Sequence, residues 1–104
     1  MDIKGAVQKV AQEYGYDAQS RQCIEEMAEL TQAINKFWRK QLNCGANGLS
    51  DVSSSSAEEQ NILEEIADVQ IMLWQLEYLL NADVEPIIEQ KINRQLQRIE
   101  DSGK

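Results

Sequence analysis

Cys23-Ile24-Glu25-Glu26-Met27-Ala28-Glu29-Leu30 returns, class for class, as Ile62-Leu63-Glu64-Glu65-Ile66-Ala67-Asp68-Val69, at a constant offset of 39 residues. Both copies read apolar, apolar, Glu, Glu, apolar, Ala, acid, apolar. At about 100° per residue the first copy lies on a helix whose apolar stripe is Cys23, Met27, Leu30, Ile34 and Phe37. The second copy extends to Ile62, Ile66, Val69, Leu73 and Leu76. Glu26 and Glu29, three apart, share one edge of the first stripe, and Glu65 and Asp68 share the matching edge of the second. Glu25 and Glu64 point further out, towards solvent. Two helices packed through these stripes would bring four carboxylates to one place.

Such a place is costly without a cation. Two carboxylates about 6 Å apart repel by roughly 3 kcal/mol at an effective dielectric near 20, and four make several such pairs. An all-oxygen ligand set suits a hard cation, Mg²⁺ or alternatively Mn²⁺. The four residues expected to hold it are Glu26, Glu29, Glu65 and Asp68.

Composition narrows the chemistry further. The chain has 104 residues and is read as one domain, 1–104. Its formal net charge of −8 argues against binding a DNA or RNA polymer or an anionic membrane surface, since a phosphate backbone needs a basic footprint. There is no His, which removes His-based acid–base catalysis, Ser-His-Asp triads and the His-containing di-iron bundle. Cys23 falls on an apolar stripe and Cys44 in a Gly/Asn-rich loop, settings that point to a reducing, cytoplasmic compartment rather than a disulfide scaffold. No signal peptide or membrane-spanning run is read in the chain.

Four helices are predicted. The first covers about Asp2 to Tyr14, stopped by Gly15, and the second about Ala18 to Lys40, with Asp17 as its N-cap. A flexible loop, about 43–57, follows; it is either a tolerated insertion or a lid. Ser56 and Glu59 have the spacing of a capping box and start the third helix, which runs to about Leu80. Asp83 caps the fourth, with Pro86 in its first turn. The third helix has a second apolar face, Leu63, Ala67, Ile71, Trp74 and Tyr78, which predicts that copies of the chain associate as a homodimer or homotetramer. The fourth has a core stripe of Val84, Ile88, Ile92 and Ile99.

Cations complete the pattern. Lys91, Arg94 and Arg98 lie on one flank of the fourth helix, near the angle that the carboxylates take on the second and third. A basic flank facing an acidic metal site is what a polyphosphate requires. Lys91 and Arg94 are the phosphate candidates. Arg98 also fits a solvated last turn that complements the helix dipole, and Lys36 at the end of the second helix has the same two readings. Trp38 and Trp74 could each stack a base or fill a core or interface.

Glu-Glu-x-x-Glu on one helix, a loop, then Glu-x-x-Asp on the next resembles the MazG-like family of all-α nucleoside triphosphate pyrophosphohydrolases, over about Asp17 to Arg98. The resemblance implies an oligomeric, four-helix bundle-like MazG-type domain in which Glu26, Glu29, Glu65 and Asp68 bind Mg²⁺ and the metal holds a triphosphate. It further implies attack of water at the α-phosphorus, giving a nucleoside monophosphate and pyrophosphate. Lys91 and Arg94 match the family's basic positions on the last helix, whereas Asn93 points away from that flank. A carboxylate not fully committed to metal can take the proton from water; Glu26 is the first candidate and Glu25 the second. The alternative is a catalytically silent helical bundle that serves as a nucleotide-binding or regulatory module.

Overall fold

The computed structural model describes residues 1–42 and 56–103. They are all-helical, in three elements: α1 (Ile3–Leu42), α2 (Ser56–Leu79) and α3 (Glu85–Ser102). The loop expected over 43–57 falls outside the described residues except for Ser56 and Ala57, which open α2. No described helix is long and apolar enough to cross a membrane.

The two helices expected before the loop are one helix with a kink. Asp2 starts it as foreseen, its Oδ1 accepting the Gly5 N–H at 3.0 Å. The break is at Gly15, which takes φ 81°, ψ 169°. This region of backbone space belongs essentially to Gly, so the chain bends there without leaving the helix on either side. Asp17 does not act as the expected cap; it faces the exposed Arg21 at 3.5 Å one turn on. Gly15→Ala would meet no atom within 4 Å and would be strained by the backbone alone. We expect it to lower the unfolding free energy by about 1–3 kcal/mol, read by urea denaturation. An unchanged midpoint would show that the kink is not held.

The kink lets α1 meet α2 on two sides. The long arm, residues 16–42, runs antiparallel to α2 through a seam of Gln19, Cys23, Leu30, Ala33 and Phe37 against Ile62, Val69, Met72, Gln75 and Leu76. Lys40 pairs with Glu58 at 2.8 Å where the long arm ends and α2 begins. Gln75, fully buried, accepts a hydrogen bond from Gln19 Nε2 at 2.7 Å, which ties the two helices in one register near the kink. The short arm, residues 3–14, lies over the second apolar face of α2. Gln12 donates to the Tyr78 hydroxyl, and Val7 and Ala11 are buried. Clefts of about 460 and 800 Å³ remain beneath that arm, lined in part by Ile3, Val7, Ile71, Trp74 and Tyr78.

The end of α2 is closed by backbone geometry. Ala82 N–H bonds Glu77 C=O and Asn81 N–H bonds Tyr78 C=O, with Asn81 at φ 52°, the paired 6→1 and 5→2 pattern of a Schellman stop. Asp83 Oδ1 then accepts the Glu85 N–H at 3.1 Å and Pro86 occupies the first turn of α3. Here the structure departs from the expected bundle. Among the described residues α3 packs against neither α1 nor α2, and none of its residues is buried. Among the described residues, three helices are present and no four-helix bundle is formed.

Candidate metal centre

The helical repeat places its acids closer to the seam than the stripe alone predicts. Met27 and Ile34 on α1, and Ile66 and Leu73 on α2, are exposed. Glu26 and Glu65 take seam positions instead, each in phase with buried or half-buried neighbours: Cys23, Glu26, Leu30 on one helix and Ile62, Glu65, Val69 on the other. The repeat does bring its acids together, but around a centre rotated into the interhelical contact.

Three carboxylates meet there. One oxygen each from Glu26, Glu29 and Glu65 lie within 4.8 Å of one another. Gln22 Nε2 donates to Glu26 Oε1 at 2.9 Å and orients that side chain from one turn earlier. Glu26 Oε2 and Glu65 Oε2 are both shut off from solvent and have no hydrogen-bond partner. Occluded carboxylate oxygens without a donor are rare in folded proteins and ask for a proton, a water or a cation. Desolvation pushes the Glu65 carboxyl above its ordinary range, and the neighbouring charges of Glu29, Asp68 and Glu26 push it the same way. Asp68 is exposed and outside the tight group of three, yet near enough for its charge to act on Glu65. The donor set is oxygen alone, so these residues fit a hard cation and not a soft one.

The remaining candidates are spread out. Glu25 and Glu64 are exposed, as their outward phase predicts. Lys40 holds Glu58, and that hydrogen bond is the main cause of the lowered Glu58 pKa; Lys36 adds a weaker attraction to the same carboxylate. Both cations therefore act on the start of α2, more than a turn from Glu65. Lys91, Arg94 and Arg98 are exposed on α3, which makes no contact with the helices that carry the acids, so the chain does not bring its basic flank to its acidic centre. Trp74 lies on the face of α2 under the short arm, about 13 Å along the helix from Glu65. Trp38 is exposed about 18 Å along α1 from Glu26. Neither stands beside the carboxylates. Cys23 is buried in the seam, and that burial raises its pKa, as befits a packing thiol.

Three residues that the repeat alone did not single out belong to this region. Gln22 is one turn before Glu26 and holds it. Gln19 and Gln75 form the polar step of the seam beyond Cys23 and Met72. Their signal was phase: Gln19 precedes Cys23 by four and Gln75 follows Met72 by three, continuing the seam rather than the solvent face.

No protein-family model matches this chain, and no curated protein or solved structure was found to be similar to it. The likeness to MazG-like enzymes therefore rests on the motif residues themselves.

Proposed function

We propose that the protein is a Mg²⁺-dependent nucleoside triphosphate pyrophosphohydrolase, with Mn²⁺ able to replace Mg²⁺, and that it works as a homodimer or homotetramer. One observation supports this above the others. Glu26 Oε2 and Glu65 Oε2 are occluded and unpartnered at a helix–helix seam, with a Glu29 oxygen within 4.8 Å of the other carboxylates. A helical surface that carried acids only for solubility would turn them to water. A bound cation would neutralise phosphate oxygens and make water more acidic. Glu26, Glu29 and Glu65 would hold it, and Asp68 stands at the rim as the fourth ligand. Glu26, oriented by Gln22, accepts the proton of the attacking water, with the exposed Glu25 as the second candidate. Lys91 and Arg94, with Arg98 and Lys36 as further cations, are the groups proposed to meet the charge of the outer phosphates; α3 would have to reach the acids from another copy of the chain, since it does not pack on α1 or α2 of its own.

The test is a screen of canonical and modified nucleoside triphosphates with Mg²⁺ or Mn²⁺, followed by reaction in ¹⁸O water. Attack at the α-phosphorus puts label in the monophosphate and none in pyrophosphate. Orthophosphate with a diphosphate product would overturn the assignment. The silent-module reading has its own support: α3, with Lys91 and Arg94, is not against the acids in this chain. Tight nucleotide binding with no turnover across the screen would select it.

A further inference from the structure

The short arm of α1 meets α2 with an opening on either side of the contact. Ala6 and Val10 line the smaller cleft, about 460 Å³, which has no charged side chain in its lining. Lys4 and Gln8, on the other side of the arm, line the larger, about 800 Å³. Ile3, Val7 and Trp74 line both, so the two share one apolar wall. The larger cleft has the size of a small-molecule site, about 300–1,000 Å³.

Its α2 wall has a definite chemistry. Trp74, Glu77, Tyr78 and Asn81 all line it, and at about 100° per residue they fall in one sector of the helix about 100° wide. A carboxylate thus shares a wall with two aromatic rings. Glu77 and Tyr78 are half-buried. Gln12 donates to the Tyr78 hydroxyl and fixes that ring in place. Rings beside a carboxylate hold an ammonium ion by cation–π attraction and a charge-assisted hydrogen bond together.

We propose that this larger cleft binds a small organic cation, an ammonium group carried on an aromatic or apolar body. The ammonium lies at Glu77 and Asp83, and the body lies against Trp74, Tyr78 and the apolar wall that leads to the smaller cleft. The proposal needs neither the metal centre nor the activity; Trp74 is about 13 Å along α2 from Glu65.

Three features of charge select a cation. First, the charged lining residues are Glu77, Asp83 and Lys4. Within two residues of the lining the further charged side chains are Asp2, Lys9 and Glu85, so four acids stand against two cations. Lys4 is exposed, and its long stem keeps the ammonium in water. Asp83 spends Oδ1 on the Glu85 N–H and has a second oxygen to offer. Secondly, Asn81 and Ala82, which close the C-terminal end of α2, line the cleft. That end is the negative pole of the helix, and the last turn of α2 holds no basic residue. Thirdly, a net charge of −8 draws cations to the surface and disfavours anions.

A series of similar shape and different charge tests the proposal. It comprises 2-phenylethylamine, charged at pH 7 as a Lys side chain is, neutral 2-phenylethanol, and anionic 3-phenylpropionate. Each is titrated into the full chain in EDTA and followed by calorimetry and by the NMR signals of the two Trp indoles. The amine is expected to saturate one site per chain and to move the Trp74 signal. The alcohol is expected to bind about tenfold more weakly, and the propionate more weakly still. Glu77→Gln, nearly isosteric, is expected to abolish the preference for amine over alcohol while far-UV circular dichroism is unchanged. Asp83→Asn is the second variant, expected to reduce that preference even if Glu77→Gln disturbs the arm. Glu64→Gln removes the same charge from an exposed position elsewhere on α2 and is expected to leave binding as it was. No saturable binding of the amine overturns the proposal, and so does a series that binds without regard to charge. An equal loss in Glu64→Gln overturns it too, by reducing the effect to net charge. Competitive displacement of the amine by Mn²⁺ would move it to Glu26, Glu29 and Glu65 and also overturns it. Since binding is read in EDTA and the metal response in its absence, failure of this site and failure of the metal centre are distinguished.

Discussion

Glu26→Gln is expected to lower nucleotide turnover by about 100-fold or more, the usual scale for removing a positioned general base, with nucleotide binding largely kept. The substitution is nearly isosteric. Gln22 Nε2 now donates to Glu26 Oε1, and the amide oxygen of the variant can accept the same bond. It also removes one of three crowded charges, so the fold gains from it instead of losing. A loss of turnover thus reports chemistry and not unfolding. Glu25→Gln, at an exposed position one residue away, is the internal control and is expected to cost far less. Gln22→Leu should fall between the two, because it leaves the carboxylate in place and frees its orientation. Steady-state kinetics at saturating Mg²⁺ decide the ranking. Normal turnover in Glu26→Gln, or a Glu25→Gln defect as large, would remove Glu26 from the role assigned to it.

The helices and their breaks were legible because each depends on local chemistry. Gly15 marked a break, expected as a stop between two helices and found as a kink within one, since no other residue enters its backbone region so cheaply. Asp83 and Pro86 marked the start of α3, and Ser56 the start of α2. The pairing of acids was legible as phase: two copies of one pattern at a fixed offset must present their acids alike. What periodicity could not supply was the direction from which each stripe would be covered. A stripe that includes both Leu30 and Ile34 is broad enough for two neighbours, and among the described residues only α2 covers it. The rotation that puts Glu26 and Glu65 into the seam, and leaves Met27 and Ile66 outside it, follows from which half α2 takes. The same limit applies to α3. Val84, Ile88, Ile92 and Ile99 identify an apolar face, but nothing local says what it packs against, and among the described residues α3 packs against neither other helix. An exposed 18-residue helix is marginal in water on propensity alone, and what would cover its apolar face was beyond the reach of pattern.

Metal-free protein should be most stable at mildly acid pH, and a divalent cation should remove that dependence. The Glu65 carboxyl is raised in the folded state by desolvation and by the charges of Glu29, Asp68 and Glu26. Between the ordinary Glu value, about 4.3, and that raised value, the folded chain holds a proton that the unfolded chain has released. Stability must then fall as pH rises through this window. Glu58 works in the opposite sense. Its Lys40 hydrogen bond lowers its pKa, so its contribution is present above the ordinary value and is lost as pH falls below it. Together they set a maximum near the ordinary carboxylate range, with the alkaline side governed by the acidic centre. A cation bound by Glu26, Glu29 and Glu65 replaces the proton and favours all three charges. Mg²⁺ or Mn²⁺ at 100 times its dissociation constant adds about 2.7 kcal/mol to the folded state, and should flatten the decline towards neutral pH. Glu65→Gln separates the two effects. It removes the group that titrates and one ligand together, so the metal-free protein should become more stable at pH 7 than the wild type and lose its response to metal. Thermal melts from pH 4 to 8, in EDTA and in millimolar Mg²⁺ or Mn²⁺, measure all of this. A midpoint that ignores both pH and metal would mean that the occluded oxygens of Glu26 and Glu65 are satisfied in some other way, and the metal centre would have to be given up.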